Sequence, residues 1–200
     1  MNATLKVICR DGLRGVTHRS VATEANVHLS LTTYYFTDIE QMMLEAFQLF
    51  CDQDKPELES VLSSARDYLN GFSSQELRRR DTRKQVCKAM AELTGKHVYH
   101  QIVAHPESLA LEQILFNESR LYGGLRQLSQ RQRLKQIEPL TNLCRIFSKN
   151  HPEISAELLF GSITSIEYHA LKTPRDELDQ AHITALLRRL MGWVVGLQSE

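Results

Sequence analysis

The chain has 200 residues, enough for one large or two small domains, and 42% of them are apolar, enough for a real core. Its 24 basic and 24 acidic residues cancel, so the total charge neither supports nor excludes a nucleic-acid partner, and only the local field matters. No amino-terminal apolar run resembles a signal peptide, and the longest apolar stretches are too short and too interrupted to span a bilayer. A soluble, cytoplasmic protein with no membrane partner is expected. The four cysteines, Cys9, Cys51, Cys87 and Cys144, form no CxxC pair and read as small apolar residues on helix faces in a reducing compartment.

Strand-like alternation is scarce, and nearly every segment has helical periodicity, so an all-α fold is expected. The pattern predicts helices over 2–11, 17–25 and 30–36. Thr17 is a good N-cap, because its hydroxyl can accept from an orphan backbone N–H. Val21, Ala22 and Ala25 fall on one face. Asn26 tolerates the left-handed backbone that ends a helix. Val27 can plug the corner, and Ser30 can cap the next helix. That helix offers Leu31, Thr32, Thr33 and Tyr35 outward, hydroxyls and apolar groups suited to phosphates, base edges and thymine methyls. Thr32, Thr33, Tyr34 and Tyr35 together are too polar for a plain buried helix, whereas Phe36 reads as a core aromatic. Two short helices with a tight break between them are the pattern of a DNA-reading helix-turn-helix.

The run from Gly12 to Phe47 resembles the N-terminal domain of the TetR family of one-component transcriptional regulators. The matching marks are Gly12, Val16, Thr17, Ala22, Ala25, Val27, Tyr34 and Phe36, followed by the apolar start of the next helix at Met42, Met43 and Leu44. The resemblance is specific over residues 3–50 and architectural beyond. It implies DNA contact through His28, Leu29, Ser30, Thr32, Thr33, Tyr34 and Tyr35, with Thr17, His18 and Arg19 near the phosphates. This chain has Asn26 where the family usually has glycine, and Ile39 near where many members carry a phosphate-binding lysine. Family members usually have a longer lead-in, which implies either a native start upstream of Met1 or a head that works without that arm. No arginine lies in the second helix, so the commonest guanine contact is missing, and readout would rest on methyls, hydroxyls and DNA shape. Residues 1–37 hold Lys6, Arg10, Arg14 and Arg19 against Asp11 and Glu24, a weak positive excess that implies modest nonspecific affinity.

Further helices are predicted over 38–54, 56–70, 74–104, 107–128, 131–149, 152–172 and 176–198. The prolines fall mostly where helices should begin. Met42, Met43, Ala46, Phe47 and Phe50 give residues 38–54 an apolar face, and the resemblance makes this the helix that ties the DNA domain to the ligand domain. Ser73 with Glu76 forms a capping box, Gly95 is a candidate break, and Gly123-Gly124 a candidate kink or bulge. The basic run Arg78, Arg79, Arg80, Arg83, Lys84 and Lys88 circles its helix and reads as a solvated surface. Over 107–128, Glu118 falls in an apolar stripe of Leu111, Ile114, Leu115, Leu121, Tyr122 and Leu125. It either pairs with an arginine such as Arg83 or Arg120, or anchors an effector pocket lined by Met90, His97, Phe116, Tyr122 and Tyr168. Glu167 is a weaker case of the same kind. In the last two helices, Leu158, Ile163, Ile166, Leu186, Leu190, Trp193 and Val194 belong to broad apolar stripes that a second copy would cover.

The sequence contains no HExxH, GxSxG, phosphate-cradling glycine loop or Cys/His set at zinc spacing. His97 and His100, three residues apart, would need Glu112 or Glu118 to hold a metal, and solvated histidines are the simpler reading. No catalytic residue, metal or cofactor is expected. The domains implied are a helix-turn-helix head, 1–50, and a helical effector-binding and dimerisation domain, 51–200. The function implied is a homodimeric repressor that binds a palindromic double-stranded DNA operator and is released by a small apolar or amphipathic effector. A helical enzyme built around Glu118 and the histidines, or a dimeric binding protein without DNA activity, are the alternatives.

Overall fold

The computed structural model describes residues 1–53, 56–118, 120, 122–147 and 151–197 of the chain. It is all-α: α1 (Asn2–Asp11), α2 (His18–Ala25), α3 (Leu29–Tyr35), α4 (Ile39–Cys51), α5 (Pro56–Asn70), α6 (Arg80–Ala104), α7 (Pro106–Glu118), α8 (Gly123–Phe147), α9 (Pro152–Ala170) and α10 (Gln180–Val194). Among the described residues there is no strand, and no helix is long and apolar enough to cross a membrane.

The chain divides into two compact units, one of Met1–Asp54 with Glu107–Arg133 and one of Lys55–Pro106 with Leu134–Glu200. The expected division at residue 50 therefore cuts differently from the packing. Met42, Met43, Ala46 and Phe47 of α4 are almost wholly buried, in one apolar cluster with Val7 and Ile8 of α1, Val21 of α2, and Leu111, Leu115, Leu125 and Leu128. Residues 107–133 thus complete the core under the N-terminal helices. In the second unit, α6 and α10 form the most extensive helix pair. Val86, Ala91 and Val98 of α6 are buried, as are Ile183 and Leu187 of α10.

Several helix boundaries differ from the sequence expectation for local reasons. The 107–128 pattern is two helices: α7 ends at Glu118, and α8 begins at Gly123. Leu121 lies outside the described residues. Gly123-Gly124 is thus the start of a helix, where a Cβ on Gly124 would sit 3.0 Å from the Leu44 side chain. Pro56, Pro106 and Pro152 do open helices, but Pro139 lies inside α8. Ser73 and Glu76 form their capping box ahead of a single 3-10 turn, Glu76–Arg78, and α6 starts only after extended Arg79. α10 likewise starts late, where the Asp179 carboxylate accepts from the Ala181 N–H at 2.7 Å. Arg83 is not a surface cation. Its Nε donates to the Leu77 carbonyl and its Nη1 to the Val195 carbonyl, each at 2.9 Å, which ties the end of α10 down.

Gly95 does not break α6. It is buried, and a Cβ there would collide with the Thr184 hydroxyl of α10 and stand 3.2 Å from the Thr184 Cα. The missing side chain sets how closely α6 and α10 approach. Gly95→Ala should therefore destabilise the protein by about 1–3 kcal/mol through overpacking, although helix propensity alone favours alanine by about 1 kcal/mol. Urea unfolding checks the sign, and Thr184→Ala should relieve part of the loss.

All four cysteines are free. Burial raises the Cys87 thiol despite nearby Arg188, and raises the Cys9 thiol with help from the Glu107 carboxylate. Burial alone lifts Cys144 from 9.0 to about 11. A thiol held neutral in the folded state adds stability that is full below the unfolded value and is lost as pH rises through the folded one. Stability should therefore fall between pH 9 and about 11, and Cys144→Ala should remove roughly 2–3 kcal/mol of that slope in pH-dependent urea unfolding.

Candidate nucleic-acid interface

The first unit builds its turn from local chemistry. Thr17 caps α2: its Oγ1 accepts from the Ser20 N–H at 2.9 Å, while the Ser20 Oγ accepts from the Thr17 N–H at the same distance. Asn26 ends the helix in the left-handed region, at φ 53° and ψ 47°. The chain then turns through Val27 and enters α3 with His28 as N-cap. Ser30 is not the cap, because helical backbone already begins at Leu29 and places Ser30 inside the first turn. Ala25 and Val27 are exposed, so Val21 and Ala22 alone fill the α2 face.

α3 buries one side chain, Thr32, which is 7% exposed. The Thr32 Oγ1 lies 2.9 Å from the Leu29 carbonyl and 3.2 Å from the His18 carbonyl. The second contact pins α3 across the start of α2. The expectation that Thr32 faces DNA is corrected by this burial, since its hydroxyl serves the helix pair. His18 is half-buried beside it, its Nδ1 without a hydrogen-bond partner, and so does not stand on the outer surface. The other expected residues, Thr17, Arg19, His28, Leu29, Ser30, Thr33, Tyr34 and Tyr35, are exposed and close together along α2 and α3.

The exposed surface is unusual in kind. Tyr34 and Tyr35 are 81% and 68% exposed, with their rings edge to face at 5.2 Å. Five of the twelve exposed large hydrophobics among the described residues, Val27, Leu29, Leu31, Tyr34 and Tyr35, fall within nine positions. Scattered apolar residues need no explanation, whereas a concentrated patch marks an interaction surface. Leu31 is exposed, as expected from the sequence. Phe36, as expected, packs against the core.

The local charge is thinner than the sequence count. Arg10 pairs with Glu24 at 2.9 Å and Asp11 at 3.0 Å, and Lys6 approaches Glu24 at 4.0 Å. Hydrogen bonds to Asp11 and Glu24 push the Arg10 guanidinium above its ordinary range. Arg14 and Arg19 remain as exposed cations of this head.

The expected effector residues fall in different units. Phe116, Glu118 and Tyr122 belong to the first, Met90, His97 and Tyr168 to the second. Glu118 is exposed at the end of α7, not buried in the stripe, because the helix stops there and the stripe with it. The buried carboxylates are Glu112 and Glu167, both with partners. Glu112, weighed from the sequence only as a metal ligand, stands at helical spacing between Leu109 and Leu115 and is buried with them. Tyr122 packs on the first core, and Met90 packs with Leu69, Leu77 and Val86 in the second unit. His100 packs edge to face on His105, and among the described residues no group of three His, Cys, Asp or Glu is set to hold a metal ion.

On the second unit, Ile154 and Leu158 of α9 and Leu186 and Trp193 of α10 are exposed. Leu158 and Trp193 are each 59% exposed. Ile163, Ile166, Leu190 and Val194 are half-buried.

Solved structures share this fold over nearly the whole chain. A transcriptional regulator from Rhodococcus sp. Rha1 matches with a TM-score of 0.68 at 14% identity, covering 97% of this chain and 92% of its own. A TetR-like transcriptional regulator from Rhodococcus sp. RHA1 matches at 0.56 and 17%, covering 98% and 93%. The multidrug binding protein EbrR complexed with proflavin matches at 0.55 and 19%, covering 94% and 95%. No protein-family model and no curated protein matches the sequence. The fold is that of the TetR-like transcriptional regulators.

The burial pattern separates two kinds of α3 residue. Tyr34→Ala with Tyr35→Ala should change stability by less than about 0.5 kcal/mol, because both are exposed. Thr32→Val should cost about 1 kcal/mol, because it removes the hydroxyl that binds the His18 carbonyl. Thermal unfolding followed by circular dichroism distinguishes them.

Proposed function

We propose that the protein is a homodimeric, sequence-specific DNA-binding transcriptional regulator that acts as a repressor. The observation that carries this is the short helix α3, which buries Thr32 alone and offers Leu31, Thr33, Tyr34 and Tyr35 to solvent on a helix-turn-helix. A helix so exposed gains little from its own fold, and its outward groups suit thymine methyls, base edges and phosphates. Thr17 and Arg19 lie where α2 would meet the backbone of the same duplex. With Arg14 and Arg19 as the exposed cations, phosphate contacts are few, so affinity comes from apolar and hydroxyl readout and from DNA shape.

One such head binds weakly, and a dimer doubles the contacts on half-sites about 34 Å apart in a palindromic operator. The exposed residues Leu158, Leu186 and Trp193 support a second copy on α9 and α10, flanked by half-buried Ile163, Ile166, Leu190 and Val194. An effector of small apolar or amphipathic character would release the operator by shifting the population of conformers, with coupling of roughly 1–3 kcal/mol. The multidrug-binding neighbour supports a ligand in this fold. In the second unit, half-buried Met90, His97 and Tyr168 are the side chains proposed for it. The protein works on DNA in the cytoplasm and performs no catalysis in this reading.

Selection of bound sequences from random duplex DNA tests the proposal. A two-fold symmetric site should be enriched, and Tyr34→Ala with Tyr35→Ala should weaken it by about tenfold or more, some 1.4 kcal/mol or above. Leu158→Glu should give a monomer in sedimentation and a comparable loss of affinity. Failure to enrich any sequence with a folded, dimeric sample would reject DNA recognition. An enriched site without symmetry would reject the dimeric reading.

A further inference from the structure

An open groove of about 1000 Å³ runs between α6 and α10 within the second unit. Its volume lies at the top of the range usual for small-molecule sites. Lys84, Lys88 and Glu92 line it from α6, at helical spacing of four, and Arg188, Arg189 and Trp193 line it from α10. From Lys84 to Glu92 the helix advances about 12 Å. Arg188 reaches Glu92 at 3.5 Å, so that pair is internally neutral. Lys84, Lys88 and Arg189 are exposed and have no ion pair among the described residues. A chain whose total charge is zero thus concentrates three uncompensated cations in one concavity beside its single tryptophan.

We propose that this groove binds a planar aromatic anion. The ring lies against the groove-side face of Trp193, and the carboxylate is held by the ammonium groups of Lys84 and Lys88 with the Arg189 guanidinium. Each element answers one part of such a ligand. Cations on long flexible side chains reach an anionic head without needing deep burial. An indole stacks on a flat ring with a preferred offset or edge-on geometry. Buried Cys87, at the floor, has its thiol turned to the Arg188 carbonyl at 3.3 Å and leaves the floor uncharged. A neutral aromatic would leave the three cations unanswered, and a bare inorganic anion would leave the indole unused.

The groove stays accessible in a dimer built on the outward face of α10. Ala185 and Arg188 look into the groove, and Leu186 stands one residue on from Ala185, about 100° round the helix. Trp193, seven residues on from Leu186, stands within about 20° of it, so the second copy covers one face of the indole and the groove keeps the other. The proposal does not depend on DNA recognition, and a chain that bound no operator would still show the site.

Calorimetric titration of the full chain with 2-naphthoate, neutral 2-naphthylmethanol and inorganic phosphate tests it. Naphthoate should bind saturably, one per protomer, and more tightly than either of the other two by about tenfold or more, a difference of 1.4 kcal/mol. Lys84→Gln with Lys88→Gln should weaken naphthoate by a similar factor, and Trp193→Ala should also weaken it. Lys96→Gln, one turn beyond Glu92 on the same helix and outside the groove, should leave binding unchanged and controls for general charge. The absence of saturable heat would overturn the proposal. So would equal binding of the alcohol, or wild-type affinity in the double lysine variant. Equal binding of phosphate, or wild-type affinity in a folded Trp193→Ala, would overturn the aromatic part.

Discussion

The position of α3 rests on one hydroxyl. The helix is seven residues long, and a helix that short has no stability of its own in water. It offers the core no apolar side chain, only Thr32, whose Oγ1 bridges the carbonyls of Leu29 and His18. Backbone devices do the rest: the Thr17–Ser20 box starts α2, Asn26 turns the chain by accepting the left-handed region, and Phe36 anchors the exit on the core. Each holds the helix from its ends or its inner edge. The outer face is therefore free of structural duty, and that freedom lets it carry Leu31, Thr33, Tyr34 and Tyr35 into solvent.

Beneath this arrangement lies α4. Its residues Met42, Met43, Ala46 and Phe47 are buried together with Leu111, Leu115, Leu125 and Leu128, so the N-terminal helices have a core larger than fifty residues could supply. A domain of about fifty residues buries a small share of its surface and is marginal alone. Borrowing α7 and the first part of α8 answers that limit, and explains why the compact unit does not end where the helix-turn-helix pattern ends.

The sequence made most of this legible where one residue carries a local instruction. Thr17, Asn26 and the prolines at 56, 106 and 152 act through their own backbone, and they stand where expected. It was less legible where the instruction lies in a neighbour. Thr32 and Thr33 are the same residue type side by side, and the packing of α3 on α2 turns Thr32 alone toward the His18 carbonyl. Arg83 sits in a run of surface cations, and the carbonyls of Leu77 and distant Val195 turn it inward. Gly95 looked like a break because its partner, Thr184, is 89 positions away in the chain. Glu118 looked buried because the stripe was read through a helix end that periodicity alone does not mark.

Charge shows the same division between what a count reveals and what geometry does. Over residues 1–37 the sequence counts four cations, but Glu24 and Asp11 neutralise Lys6 and Arg10 locally, leaving Arg14 and Arg19. The basic run of α6 seemed dispersed around its helix, yet Lys84 and Lys88 share a groove with Arg189 because α10 lies beside them. The head thus carries little free charge and much apolar surface, whereas the α6–α10 groove gathers three free cations beside an indole. The zero net charge of the chain therefore describes neither surface.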